Sequence, residues 1–193
     1  LYPGGQQFAG TIASPALPNG NVVKGDLSFW ELYAKSTYAI NEQVTIGGNI
    51  FFSPSWLNSG AFGTYAAGTL KVTAPTNLLP SGLGAYVSGE LGRYWFGVTD
   101  SFYAVAAFPA GIKYPDYTTW NVGVGLTWKV LTFDLRYYDT NLSKADCNVL
   151  TSDHTATFGG LGAVTPTNPT GFVSNWCGAA FIGKLSIDST LNK

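Results

Sequence analysis

The residues of this chain that could carry out acid–base or nucleophilic chemistry are few. The sequence contains a single histidine, His154, and no Gly-x-Ser-x-Gly motif. A nucleophile beside a general base, which the hydrolysis of an ester or a peptide would require, is therefore not indicated. Glu90 and Asp134 could act as a carboxylate acid–base pair, but carboxylates on nearby strands more often belong to a polar interior. We expect no enzymatic activity and no cofactor.

Most charged side chains share one phase of segments that alternate between apolar and polar residues. This polar phase carries both signs of charge and could line a water-filled pore, where opposed charges select among ions and polar solutes. Alternatively, the charges pair with one another and fill the interior, as Asp134 and Arg136 could, two positions apart. Arg93 and Asp139 are exceptions on the apolar phase, close to a loop end. The predicted pore-lining residues are Glu31, Lys35, Lys71, Glu90, Asp134, Arg136, Lys184 and Asp188.

The alternation is clearest between residues 117 and 139. Two alternating runs, 117–128 and 131–139, are joined only by Lys129 and Val130. Successive side chains of a strand point to opposite faces, so each run has one apolar and one polar face, and the short connection predicts a tight hairpin. Aromatic residues lie near the ends of the apolar phase with aliphatic residues between them. This pattern is typical of strands that cross a lipid bilayer.

Similar alternation predicts five further strands. The connections alternate between long and short or moderate, and all the long ones fall at one end of the sheet, as in outer-membrane β-barrels. Seven strands, with Leu1 and Tyr2 as the end of another, leave two open edges, which lipid does not tolerate. We expect further strands upstream of Leu1 or from another chain. The five segments are 27–40, 43–53, 64–74, 83–95 and 176–188.

The composition favours a membrane location for this sheet. Only 11% of the residues are charged, against about 25% in an average soluble domain. No apolar run reaches the roughly 20 residues of a transmembrane helix, so the strands themselves would present apolar residues to lipid. A soluble barrel with its apolar phase inside is the alternative that alternation alone leaves open. A net charge of −1 without a basic stripe does not indicate nucleic-acid binding.

Several segments resemble one known family, the TorF-family putative porins of Gram-negative bacteria. The similarity covers nearly the whole chain and is most specific at 133–140 together with the paired cysteines. It implies a β-barrel in the bacterial cell outer membrane, in contact with outer-membrane lipid and made with a signal peptide and N-terminal strands that this chain lacks. The segments that carry the resemblance are 29–35, 51–68, 89–95, 115–147 and 174–188.

Cys147 and Cys177 flank the longest predicted connection, 30 positions apart. Two cysteines in an exported protein most often form a disulfide, which we predict here. A metal site is the weaker alternative because His154 is the only histidine, and we interpret this residue as a solvated loop residue. Another long connection contains the apolar segment 102–108, which either folds into the barrel mouth or packs on a neighbour.

These features together predict a single domain over 1–193. Its fold class is an all-β antiparallel transmembrane β-barrel, and its function is that of a porin for the passive diffusion of small hydrophilic solutes. The first alternative is a non-conducting structural or surface-binding outer-membrane barrel, and the second is a soluble barrel that binds an apolar ligand. No metal is expected. The sequence leaves the solute and the oligomeric state open, homo-oligomers included.

Overall fold

The computed structural model describes residues 24–104, 108–151, 153 and 155–188. Three predictions concern residues outside these ranges: the strand end at Leu1, the role of His154, and the middle of the apolar segment. The elements of the described residues, apart from single 3-10 turns, are β1 Leu32–Ala39, β2 Val44–Ser53, β3 Gly63–Thr73, β4 Leu83–Phe96, β5 Tyr117–Trp128, β6 Leu131–Thr140, α1 Lys144–Leu150, β7 Thr157–Phe158, β8 Phe172–Val173 and β9 Ala180–Ile187.

Seven of the strands form one antiparallel sheet in the order β1-β2-β3-β4-β5-β6-β9. Because this number is odd and every neighbouring pair is antiparallel, β1 and β9 run in the same direction. Within the described residues these two strands are the edges of the sheet, and no pairing joins them. The prediction of an all-β antiparallel fold is confirmed, whereas closure into a barrel remains a proposal.

The alternation located most strand ends to within a residue or two. The β5–β6 turn is the predicted tight hairpin, and Lys129 there has a φ of 55°, in the left-handed region. The largest differences occur at two strand starts, because β1 begins at Leu32 instead of residue 27 and β9 begins at Ala180 instead of residue 176. Before β9, the carbonyl oxygen of Cys177 accepts a hydrogen bond from the Thr140 hydroxyl (3.1 Å), so the ladder with β6 starts only beyond this turn.

Long connections alternate with short or moderate ones, as the sequence predicts. Residues 40–43 and the two-residue β5–β6 turn are short, and residues 74–82 form a connection of moderate length. The long connections, 54–62, 97–116 and 141–179, all lie at the opposite end of the sheet. The sheet therefore has a loop end and a turn end.

The longest connection, 141–179, contains structure that the sequence analysis missed. The sequence pattern predicts a loop, but α1 begins after Ser143, whose side chain accepts a hydrogen bond from the amide of Asp146 (3.0 Å), and β7 pairs with β8. The predicted disulfide is present: Cys147 of α1 is bonded to Cys177, with their Cα atoms 5.8 Å apart. Among the described residues, no helix has the length and apolar content that a membrane span requires.

The buried core of the described residues lies at the loop end of the sheet. Ala61, Phe96 and Tyr114 are buried together. Trp56 packs against them, with its ring centroid 5.0 Å from that of Phe96, and Val149 of α1 packs there as well. All three long connections therefore converge on one end of the sheet, where they cover its polar face.

Candidate pore lining

One face of the sheet carries large apolar side chains that are exposed. Leu91 of β4 is 63% exposed and Val122 of β5 is 52% exposed, although both lie in central strands. A soluble monomer rarely exposes a contiguous apolar patch of more than a few hundred Å². This apolar face runs across the whole sheet, and its exposed members include one or more from every strand, such as Leu32, Ile50, Leu70, Leu91, Val122, Leu135 and Leu185.

The opposite face, which we call the polar face, carries six of the eight predicted pore-lining residues within its strands. Strand register brings some of them side by side, and Asp134 of β6 lies opposite Lys184 of β9. Glu31 directly precedes β1 and Asp188 directly follows β9, so these two lie at opposite ends of the sheet. The six residues within the strands are Lys35, Lys71, Glu90, Asp134, Arg136 and Lys184.

Asp134 and Arg136 form an ion pair along β6. The Nε atom of Arg136 lies 3.1 Å from Oδ1 of Asp134, and its Nη2 atom lies 3.0 Å from Oδ2, a two-point contact that favours a strong interaction. Arg136 also donates to Oδ1 of Asn121 (2.6 Å) and Oγ of Ser88 (2.7 Å). Asp134 also accepts a hydrogen bond from Oη of Tyr86 (2.7 Å). The two charges are thus paired laterally and do not oppose each other across a lumen.

Two glycines of β5 make room for these contacts. Gly125 lies between Tyr86 and Asp134 in the strand register, and a Cβ atom there would overlap the Tyr86 ring. Gly123 lies opposite Arg136, and a Cβ atom there would be 3.1 Å from the Cβ atom of the arginine. The tyrosine and the arginine therefore cross β5 from opposite sides and lie flat along the sheet, an arrangement for which glycine is suited.

Glu90 of β4 is held by neutral donors. Its Oε1 atom accepts a hydrogen bond from Oη of Tyr65 (2.6 Å), and its Oε2 atom lies 3.5 Å from Nδ2 of Asn49. Tyr65 lies across Gly92, where a Cβ atom would overlap its ring. Glu90 and Asp134 lie on β4 and β6 with β5 between them, and they have separate partners. The structure therefore does not bring the hypothetical carboxylate pair together.

The three lysines of the polar face differ from Arg136 in their surroundings. The Nζ atom of Lys71 lies 4.2 Å from the centroid of the Tyr86 ring, a distance at which the negative face of a ring attracts a cation. Lys35, Lys71 and Lys184 are all exposed, and none forms an ion pair with a described carboxylate. The polar residues between the middle of the sheet and its turn end lie on neighbouring strands, with Lys184 opposite Asp134 in the register. We call this group the ionic cluster, which comprises Lys71, Tyr86, Ser88, Asn121, Asp134, Arg136 and Lys184.

An aromatic row crosses the polar face near the loop end, and the sequence analysis missed it. The row consists of Tyr33, Phe51, Tyr65, Tyr94 and Tyr117, which share one register position on five consecutive strands. Neighbouring ring centroids lie between 4.3 and 6.1 Å apart. A signal was present in the sequence, because each member lies within three residues of the loop end of its strand.

The long connections pack on this aromatic row. Phe96 stacks on Tyr94, with centroids 5.5 Å apart, and also contacts Trp56. Asp116, at the end of the connection 97–116, accepts hydrogen bonds from the amide of Phe96 (2.8 Å) and from Nζ of Lys113 (2.9 Å). Burial acts to raise the pKa of the Asp116 carboxyl, but the hydrogen bonds from Phe96 and Lys113 outweigh it and hold the pKa below its ordinary value. Packed rings and hydrogen bonds thus fill the loop end.

The two charged residues on the apolar phase have polar partners close to the loop end. The Nη1 atom of Arg93 lies 3.2 Å from Oγ1 of Thr118, and its guanidinium lies 5.9 Å from the ring of Trp95. Asp139 accepts a hydrogen bond from Oη of Tyr137 (3.0 Å). Both residues lie near the ends of β4 and β6 that lead into long connections. Neither charge therefore lies in the middle of the apolar face.

No family model, no curated protein and no solved structure matches this chain. The resemblance to the TorF-family putative porins therefore stays a prediction. Within the described residues, no group of three or more histidine, cysteine, aspartate or glutamate side chains could hold a metal ion. The feature of this sheet with the clearest chemical consequence is its division into an apolar face and a polar face.

Proposed function

We propose that this chain forms part of an outer-membrane β-barrel that acts as a porin, through which small hydrophilic solutes diffuse passively. The apolar face would contact lipid, and the polar face would line the lumen. The observation that carries the proposal is the exposure of large apolar side chains in all seven strands of the sheet. Lipid offers such a face the environment that water denies it. The resemblance to the TorF family supports the same location.

The competing soluble barrel would need the opposite arrangement of faces. Its apolar phase would be enclosed, and its charged residues would face water. Here Leu91 of the apolar face is 63% exposed, whereas Tyr65 of the polar face is only 8% exposed. The observed burial therefore favours a barrel with its apolar phase outside.

The ionic cluster supports a wall that faces an open lumen. Tyr86 and Arg136 lie flat over Gly125 and Gly123, so they occupy little space away from the sheet. Their polar groups bond to neighbours on the same sheet and do not require partners from a facing wall. A lumen bounded by such a surface retains room for water and solutes.

Completion of the barrel needs strands beyond the seven of this sheet. Within the described ranges, β1 and β9 have a neighbouring strand on one side only, and lipid tolerates no open edge. Because β1 and β9 run in the same direction, antiparallel closure requires an odd number of additional strands. We propose that the same polypeptide or another chain supplies them. Either source gives an even total, which is the rule for bacterial single-chain barrels.

A second candidate is a non-conducting structural or surface-binding barrel, and the packing at the loop end favours it. Phe96 and Tyr114 are buried beside Trp56, and these rings cover the polar face where the long connections converge. In a porin the connections would narrow the outer mouth. In the second candidate they would occlude it and present a surface to a partner.

Planar-bilayer recording on the intact protein distinguishes these functions. A porin gives discrete conductance steps. The substitution Ser88→Trp places a bulky ring on the polar face and should reduce the step size, whereas Val87→Trp, one residue away on the apolar face, should leave it unchanged. A folded, inserted protein without conductance would overturn the porin proposal and favour the second candidate. Retention of the protein in water without detergent would contradict both membrane functions.

A further inference from the structure

Resting on the proposed porin function, we infer that the pore admits small anions in preference to small cations. The polar face carries four cationic side chains and two carboxylates within its strands, which leaves an excess of two positive charges. Glu31 and Asp188 lie beyond the strands, at opposite ends of the sheet, so the excess belongs to the part of the wall between them. The permeant class is small inorganic or carboxylate anions.

The carboxylates of the polar face are already engaged by the protein. Asp134 and Arg136 cancel each other, and their side chains are only 14% and 17% exposed. Glu90 is half-buried. Its Oε1 atom accepts a hydrogen bond from the Tyr65 hydroxyl, and its Oε2 atom lies 3.5 Å from Nδ2 of Asn49. A cation in the lumen would therefore have to compete with these contacts before it reached a carboxylate oxygen.

The lysines are placed differently. Lys35, Lys71 and Lys184 are exposed and have no ion pair with a carboxylate in the described ranges. The ring of Tyr86 beneath Lys71 supports the ammonium group without cancelling its charge. Among the side chains within the strands, once the Asp134–Arg136 pair is set aside, three exposed cations face one half-buried carboxylate. The exposed carboxylates of Glu31 and Asp188 lie outside this stretch, one at each end of the sheet.

The consequence for a solute follows from elementary electrostatics. A lumen wall of one dominant sign concentrates counter-ions and raises their rate of entry, and rings of cationic side chains are a known basis of anion selectivity. The ammonium groups of Lys71 and Lys184 can each make hydrogen bonds to a passing anion. The electrostatic attraction of each lysine for an anion extends over about one Debye length, roughly 8 Å at physiological salt. This range includes much of the cross-section of a narrow pore.

The test is the chloride-to-potassium permeability ratio of the intact protein, taken from reversal potentials in a planar bilayer under a KCl gradient. We expect a ratio above 1. The substitutions Lys71→Gln and Lys184→Gln should each lower it by roughly twofold, as expected for one charge several ångströms from the ion path in water. Glu90→Gln should raise it. The matched control is Arg93→Gln, which removes a positive charge from the apolar face and should leave the ratio unchanged.

The outcomes separate this inference from the function on which it rests. A conducting protein with a ratio of 1 or below would overturn the anion preference and leave the porin standing. An equal response to Lys71→Gln and Arg93→Gln would also overturn it, because the polar face would then have no special role. Absence of conductance in a folded, inserted protein would overturn the porin function and the inference together. The rise with Glu90→Gln is an independent check if either lysine variant fails to insert.

Discussion

The polar face of the sheet carries two kinds of side-chain contact, one at each end. Near the long connections, the rings of the aromatic row lie 4.3 to 6.1 Å apart and continue into the core around Phe96. Toward the short turns, the ionic cluster is joined by hydrogen bonds of 2.6 to 3.1 Å, and its lysines are exposed.

These two ends divide stability and selectivity between them. Packed rings exclude water, and removal of one ring lowers the free energy of unfolding strongly, because the neighbouring side chains cannot fill the cavity. A hydrogen-bonded polar surface tolerates water, since water can replace a lost partner. The loop end should therefore determine how stable the protein is, whereas the turn end should determine which solutes it meets. The following variants test that division.

The largest expected effect comes from the core at the loop end. Phe96→Ala removes a ring that is only 2% exposed and should lower the free energy of unfolding by about 3–5 kcal/mol. Phe158→Ala is the matched control, because Phe158 is 58% exposed and contacts the Phe172 ring edge to face. Chemical unfolding in detergent, followed by tryptophan fluorescence, measures both. Similar losses for the two variants would contradict a stabilising core around Phe96.

The disulfide provides a second test at the same end. Cys147 and Cys177 join α1 to the approach of β9 across 30 residues, and removal of the bond by Cys147→Ser with Cys177→Ser should cost about 3–4 kcal/mol in the chain-entropy model. The permeability ratio should not change, because the bond lies in the connection 141–179, away from the ionic cluster. A changed ratio with unchanged stability would reverse the assignment of roles to the two ends.

Much of the sheet was predictable because strands have a period of two. Segregation of Leu126 and Trp128 from Thr127 is a local property of the sequence, and it gave the strands, their order along the chain and the faces of the charged residues. The disulfide was predictable from the number of cysteines. Alternation alone does not decide between apolar-in and apolar-out, because it is the same in both cases; the prediction of the apolar-out sense rests on the low charge, the aromatic ends of the apolar phase and the lengths of the connections.

The contacts across strands could not be predicted, because they depend on register. Tyr86 contacts Asp134 because the strand register places Gly125 between them. The aromatic row is continuous because Tyr65 pairs with Tyr94. A shift of one residue in a strand pair would disperse the group that depends on that pair. The helix α1 was missed for another reason: its seven residues are short, and its cap at Ser143 is the main local signal.

An intermediate effect is expected at the turn end. Asp134→Ala would leave Arg136 without its carboxylate partner, and because both side chains are mostly buried the loss should be about 2–3 kcal/mol. Arg136→Ala and the double variant complete a cycle that isolates the interaction between the two residues. Thermal unfolding of the four proteins measures it. Strictly additive losses would contradict a coupled pair and would leave the ionic cluster without its central contact.

The smallest expected effect is a pH dependence at the loop end. Asp116 accepts hydrogen bonds from the amide of Phe96 and from Lys113, and although burial acts to raise its pKa these bonds hold the pKa below its ordinary value. As the pH falls, this carboxyl is therefore protonated in the unfolded chain, where an aspartate has a pKa of about 3.9, before it is protonated in the folded protein. The stabilisation is thus complete above about pH 4 and is lost as the pH falls through the lower pKa of the folded protein.

For this partly exposed group the loss should be below about 1 kcal/mol. Hydrogen exchange of the Phe96 amide, compared between pH 6 and pH 3 after correction for the intrinsic rate, reports it locally. Asp116→Asn, which retains an oxygen acceptor but cannot titrate, should lack this pH-dependent loss of protection. If the wild type and Asp116→Asn lose protection equally on acidification, the hydrogen bonds of Asp116 do not hold the connection 97–116 on the aromatic row. The stability of the loop end would then rest on packing alone, which sharpens its contrast with the ionic cluster.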